Sequence, residues 1–197
     1  MKKLWAMPGL LLAALGSAQA YDLKGVISGY LTEPDGACSI AIEGPGNGIY
    51  NNGYHRVGSA QMCNLARLMR GEAIRARAKE TPGENAPNDI TELEASRGGN
   101  PYWPPYHSGN AVDHYELIGP VNGYLLVANR KTSCFISIGG SDFHSNGYHE
   151  VKDRAKCTAL LYAYVDGSEN VAVHAERGEG MNRVTELDFF RFDEPHW

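Results

Sequence analysis

The chain repeats itself. Asn52-Gly53-Tyr54-His55-Arg56-Val57 returns as Asn146-Gly147-Tyr148-His149-Glu150-Val151, a shift of 94 residues. Gly29-Tyr30-Leu31 returns as Gly123-Tyr124-Leu125, and Thr91-Glu92-Leu93 as Thr185-Glu186-Leu187, at that same shift. Arg97 returns as Arg191, and Cys38 and Cys63 find counterparts in Cys134 and Cys157. An ordered series over most of the chain is an internal duplication, and a period this long is that of a domain rather than a short solenoid unit.

Residues 1–20 read as a secretory signal peptide. Lys2 and Lys3 precede the apolar run Leu10 to Leu15, and Ala18-Gln19-Ala20 has the small-x-small form of a cleavage site. The run is too short for a membrane span. Removing it takes the formal charge from −5 to −7. An acidic exported chain is a poor candidate for nucleic-acid binding, which relies on clustered Lys and Arg. No cofactor is expected.

Export also gives the four cysteines a role, because disulfides persist outside the reducing cytosol. Four cysteines allow three pairings. The duplication selects Cys38 with Cys63 and Cys134 with Cys157, since each repeat inherits its own bridge. Each should stabilise by roughly 3 kcal/mol, a useful staple for a domain below ~90 residues. No pair has the close spacing of a zinc motif.

Within repeat one, Gly25 to Thr32 reads as a strand and Glu33-Pro34-Asp35-Gly36 as a turn. Cys38 to Glu43 alternates as a strand with one buried face. Gly44 to Gly53 is a loop, and Tyr54 to Val57 a short strand. Ser59 caps a helix carrying Met62, Leu65, Ala66 and Met69, which Gly71 stops. Strands at Glu72 to Ala78 and Ile90 to Ala95 complete the unit. Repeat two gives strands at Val121 to Val127, Cys134 to Ile138, Tyr148 to Val151, Asn170 to Ala175 and Val184 to Phe192, with a helix from about Asp153 to Tyr164 ended by Gly167.

The expected fold is therefore mainly β with one helix per repeat (α+β). It consists of two tandem OB-fold-like barrels, at 21–97 and 113–197, each with an internal disulfide. A mixed α+β sandwich with the same element order is the alternative. The Pro/Gly/aromatic segment 98–112, with Tyr102, Trp103 and Tyr106, reads as a tether or as an aromatic binding platform.

Cys38-Ser39-Ile40-Ala41-Ile42-Glu43-Gly44, then Cys63 at the helix start and the strand after Gly71, resemble the B subunits of bacterial AB toxins of the subtilase-cytotoxin and pertussis-toxin-like branch. Cys134 to Gly140 with Cys157 repeats the pattern, so the likeness is to a tandem duplication of such a subunit. The resemblance implies exported OB-folds that bind a cell-surface glycan or glycoprotein. It also brings a toxin A subunit, or another protein, into consideration as a partner.

Candidate ligand-binding residues are Tyr54, His55, Tyr148 and His149, because an aromatic ring stacks on a sugar while polar neighbours meet its hydroxyls. The structural reading is that Tyr and His, adjacent on a strand, point to opposite faces and one fills the core. His144 and His149 with Asp142 and Glu150 have the donor types of a metal site, but repeat one has Ile49 and Tyr50 in the matching loop and lacks the second His and the Asp. Glu43, Glu92 and Glu186 are candidate acid–base groups, with solvated surface residues as the default. No nucleophile elbow or phosphate loop is present. The leading expectation is a non-enzymatic glycan-binding protein. An inhibitor or immunity-type protein binding another protein, and a hydrolase using His55 or His149, are the alternatives.

Overall fold

The computed structural model describes residues 18–83, 86–97, 114–140, 145, 147–177 and 181–190. Most of the expected signal peptide, the tether 98–112, Asp142, His144 and Arg191 lie outside them. The described chain is mainly β, with two helices and two disulfides.

The first half runs β1 (Ala20–Thr32), β2 (Cys38–Glu43), a 3-10 turn (Gly48–Tyr50), β3 (Tyr54–Val57), α1 (Ala60–Leu68), β4 (Ala73–Lys79) and β5 (Asp89–Ser96). The second runs β6 (His114–Val127), β7 (Cys134–Ile138), β8 (Tyr148–Val151), α2 (Arg154–Asp166), β9 (Asn170–Glu176) and β10 (Arg183–Phe190). Ser59 caps α1 by accepting from the Met62 amide, and Asp153 caps α2 through the Ala155 and Lys156 amides. Both fill orphan donors of a first turn. Gly167, at φ 70°, ends α2 in the left-handed conformation.

Strand pairing closes into a ring in each half. β1 pairs with β2, β2 with β3, β3 in parallel with β5, β5 with β4, and β4 with β1. β6, β7, β8, β10 and β9 repeat that circuit. The disulfides join Cys38 to Cys63 and Cys134 to Cys157, pinning β2 to α1 and β7 to α2 with Cα atoms 5.8 and 5.7 Å apart.

Two expectations need correction. The first strand of each half is longer than its apolar stretch, starting at Ala20 rather than Gly25 and at His114 rather than Val121. One strand serves two partners. The first part of β1, through Val26, pairs with β4, its later part pairs with β2, and the register shifts between Ile27 and Gly29. β6 bends likewise between Val121 and Gly123. The bend brings the strand so close to the end of its neighbour that a Cβ on Gly25 would lie 1.9 Å from the Glu43 carbonyl oxygen. On Gly119 it would lie 1.9 Å from that of Gly139. Only glycine permits this approach. Asp22, Lys24 and Gly25 thus look like strand breakers while belonging to a strand.

The halves are also joined. β5 pairs antiparallel with β6, from Glu92 opposite Val127 to Ser96 opposite Gly123. Backbone bonds from Arg97 to Asn122 and from Ala128 to Thr91 extend the seam at both ends. One buried cluster runs from Leu23 in the first half to Val173 in the second, through Leu93, Ala95, Tyr124 and Leu126.

Candidate functional site

The repeated Asn-Gly-Tyr-His turn feeds β3 and β8. In the first half Asn52 takes φ 57°, a value asparagine tolerates better than most residues, and its amide donates to the Ile42 carbonyl. The strand that follows alternates. Tyr54 points out and is 47% exposed, while His55 points in and is 2% exposed.

His55 is held at both nitrogens. Nδ1 lies 2.8 Å from the Gly53 carbonyl, which can only accept, so Nδ1 carries the proton. Nε2 then accepts from the Tyr21 hydroxyl at 2.8 Å, and that oxygen accepts from the Asn88 amide at 2.6 Å. Burial holds the imidazole below its ordinary pKa and pushes the Tyr21 phenol up. Tyr50 stacks on Tyr21 at 3.8 Å between centroids and donates to Glu80 at 2.6 Å.

The second half has the same arrangement. His149 meets the Gly147 carbonyl at 2.9 Å and the Tyr115 hydroxyl at 2.7 Å, and Asn182 donates to that hydroxyl. His149 is fully buried. In both halves the histidine, a tyrosine of the first strand and an asparagine before the last strand form an internal pin. The geometry offers neither imidazole to a substrate.

The two tyrosines of the turn differ. Tyr148 is 1% exposed, in a cluster with Leu125 and Phe135 on the outer face of β6–β7–β8. β5 lies alongside that face. Tyr148 Oη donates to Glu94 Oε1 at 2.8 Å, and Arg75 reaches Glu94 Oε2 at 3.3 Å. Burial, then the Glu94 charge, pushes the Tyr148 phenol far up, so it stays a neutral donor. Arg97 completes the seam, its guanidinium 4.8 Å above the Tyr164 ring and bonded to the Val165 carbonyl at 2.8 Å.

On the first half nothing among the described residues covers that face. Tyr54 lies across Gly29, where a Cβ would sit 2.6 Å from its hydroxyl, and Leu31 beside it is 52% exposed. Around them Ser28 donates to Asn52 at 2.6 Å, Ser39 donates to Glu33 at 2.5 Å, and Arg56 pairs with Asp35. Of the four residues singled out from the sequence, then, only Tyr54 presents a ring to solvent. The turn motif does not bring Tyr54 and Tyr148 together. Sequence reasoning passed over Leu31 and Glu94, though a signal was present: Leu125, Phe135 and Val127 make the second face apolar where Leu31, Ser39 and Glu33 stand in the first.

The candidate acid–base groups are dispersed. Glu43 and Glu186 are exposed, and Glu92 pairs with Arg77 at 3.6 Å. No group of three His, Cys, Asp or Glu among the described residues could hold a metal ion. No helix among them is long and apolar enough to cross a membrane. Comparison of the chain with protein-family models, with curated proteins and with solved structures finds no match.

Proposed function

We propose that this chain is an exported, non-enzymatic binding protein of two OB-fold units, acting through the outer β1–β2–β3 face of its first unit on a protein partner. The closed pairing circuit, with the helix between third and fourth strands, supports the OB-fold reading. The two disulfides fit an oxidising compartment. The likeness to AB-toxin B subunits belongs to the same proposal.

The observation that carries it is the contrast between Tyr148 and Tyr54. In the second unit this face takes an extended strand and a carboxylate, Glu94. The same face of the first unit leaves the tyrosine and a leucine bare. Exposed apolar side chains beside an open sheet edge suit strand addition. A second reading, a glycan stacked on Tyr54, is favoured by the exposed ring beside the Ser28–Asn52 pair.

The test is a photo-crosslinking amino acid in place of Leu31, with the same probe at Ile118, 51% exposed, as control. In exporting cells the probe at position 31 should give a discrete, protease-sensitive adduct that position 118 does not. An adduct removed by glycosidase instead selects the glycan reading. No adduct specific to position 31 overturns both.

A further inference from the structure

The duplication lets one corner of the chain be compared with its own copy. In the second half, three stretches of chain meet at that corner. Cys134 pairs opposite Val151, so the turn before β7 lies beside Lys152 and the start of α2. The Cys134–Cys157 bridge holds the first turn of α2 against the same strand end. Arg130, Lys131, Lys152, Arg154 and Lys156 are thereby brought to one place, and Arg183 of β10 joins them across Glu150.

Glu150, with a side chain 3% exposed, cannot balance them. It lies 2.7 Å from Arg130 Nη1, 3.7 Å from Lys152 Nζ and 3.9 Å from Arg183 Nε, so three cations share one negative charge. The Asp153 carboxylate is committed to the Ala155 and Lys156 amides as the helix cap. Lys131 and Arg154 are exposed, and among the described residues no ion pair reaches them or Lys156. Six cations against two carboxylates leave a local surplus of four positive charges, on a chain whose formal charge is −5.

The same corner of the first half carries the opposite sign. Asp35 stands for Lys131, Gly58 for Lys152, Ala60 for Arg154, Met62 for Lys156 and Asp89 for Arg183. The central pair is inverted, with Arg56 in the place of Glu150 and bound to Asp35. The two corners have the same strands, helix start and disulfide, so the fold does not need the cations. Crowded like charges destabilise a compact state through self-repulsion, and their concentration here calls for an anionic ligand.

The class of ligand follows from what the corner lacks. No large exposed apolar side chain is among these residues, and on α2 the exposed Tyr162 lies about two turns beyond Arg154. Protein interfaces rest on aromatic and apolar anchors, and sugar sites on stacking rings. A corner with neither reads charge density rather than shape. Charges more than about 8 Å away are largely screened at physiological salt, so acidity elsewhere on the chain does not cancel the local sign.

We propose that this corner docks on an anionic phospholipid membrane, its cations meeting headgroup phosphates arrayed in a plane. It is a second site, apart from the first-half face, and it rests on the export proposed above for its encounter with such a surface.

Co-sedimentation of the purified, disulfide-bonded chain with vesicles tests this. The wild type should pellet with phosphatidylcholine vesicles containing about 30% phosphatidylglycerol, but not with phosphatidylcholine alone. Raising the salt from about 0.05 to 0.5 M should release it. Lys131→Asp, Lys152→Gly and Arg154→Ala together install the first half's own residues, which this fold accepts. Each cation near such a surface is worth roughly fivefold in partitioning, so the triple variant should lose at least about a hundredfold. Lys24→Glu, Arg67→Ala and Lys79→Ala together change the net charge by the same amount at exposed positions elsewhere, and should bind as the wild type does. Circular dichroism checks both folds. A wild type that ignores the acidic vesicles, a triple variant that binds as well as the wild type, or a charge-matched control that loses as much overturns the proposal. Release by inorganic phosphate at constant ionic strength would mark a single-ion site and overturns it too. Corner-dependent retention on poly-glutamate without vesicle binding overturns it in favour of an acidic protein partner.

Discussion

Tyr148→Phe probes the seam with the removal of one oxygen atom. The phenol donates at 2.8 Å to a carboxylate that is only 8% exposed, and the ring stays packed on Leu125 and Phe135 after the change. A hydrogen bond to a charged group contributes about 1.5–3 kcal/mol, and its loss leaves Glu94 Oε1 short of a donor while Arg75 still serves Oε2. The expected cost is about 2 kcal/mol. For a chain of this length that lowers Tm by about 4–8 °C. Tyr54→Phe supplies the internal control. Its hydroxyl is in the same turn motif on an uncovered face, and an exposed substitution should stay within about 0.5 kcal/mol. Thermal and urea unfolding of both variants, and of Tyr148→Phe combined with Glu94→Gln, would measure the difference and the coupling. Equal losses at the two tyrosines, or additivity between Tyr148 and Glu94, would refute the reasoning.

The disulfides should map by non-reducing peptide analysis as Cys38–Cys63 and Cys134–Cys157, and a Cys63→Ala, Cys38→Ala pair should lose about 3 kcal/mol. A cross-repeat bridge would contradict the pinned helices. His55 should make the fold acid-sensitive. Its pKa is held below 6.5, so above that pH it is neutral in both states and contributes no pH dependence. As pH falls through about 6.5 the unfolded chain takes up a proton that the fold refuses, and stability drops. Urea midpoints at about pH 7.5 and pH 5.5 should differ more for the wild type than for His55→Asn, which keeps part of the bonding and does not titrate. An unchanged slope in the variant would remove His55 from the account.

Much of the local structure was legible because the sequence carries local signals for it. Cys38–Glu43, Tyr54–Val57, Cys134–Ile138 and Tyr148–Val151 stand where their alternation puts them. Ser59 and Asp153 cap the helices and Gly167 ends α2, while α1 is capped at Met69, two residues before the expected stop at Gly71. The disulfide pairing follows from the repeat alone. What was not legible depends on partners far away. β1 and β6 extend through polar and glycine residues because β4 and β9 accept their first halves, which no window of residues 20–25 reveals. Tyr54 and Tyr148 have the same local motif, and only the arrival of β5 makes one a core residue. That one of each Tyr–His pair is buried was readable from strand alternation, but not that His55 and His149 are the ones. Their partners, Tyr21 and Asn88, Tyr115 and Asn182, were not, since they lie 34 residues before and 33 residues after in sequence.

That internal pin has a consequence for how each half is completed. Tyr21 and Asn88 are 67 residues apart, as are Tyr115 and Asn182, and the histidine between them closes its own short bond to the preceding turn. Contacts of this span are the slowest to form, because the loop must close before they stabilise anything. A chain emerging from its N-terminus can bury His55 and join Cys38 to Cys63 before Asn88 has appeared. The hydroxyl of Tyr21 then lacks its second partner until the last strand is laid down. Completion of the circuit is thereby registered at a single oxygen atom in each half, which makes the tyrosine hydroxyl the place where an unfinished unit differs most, chemically, from a finished one.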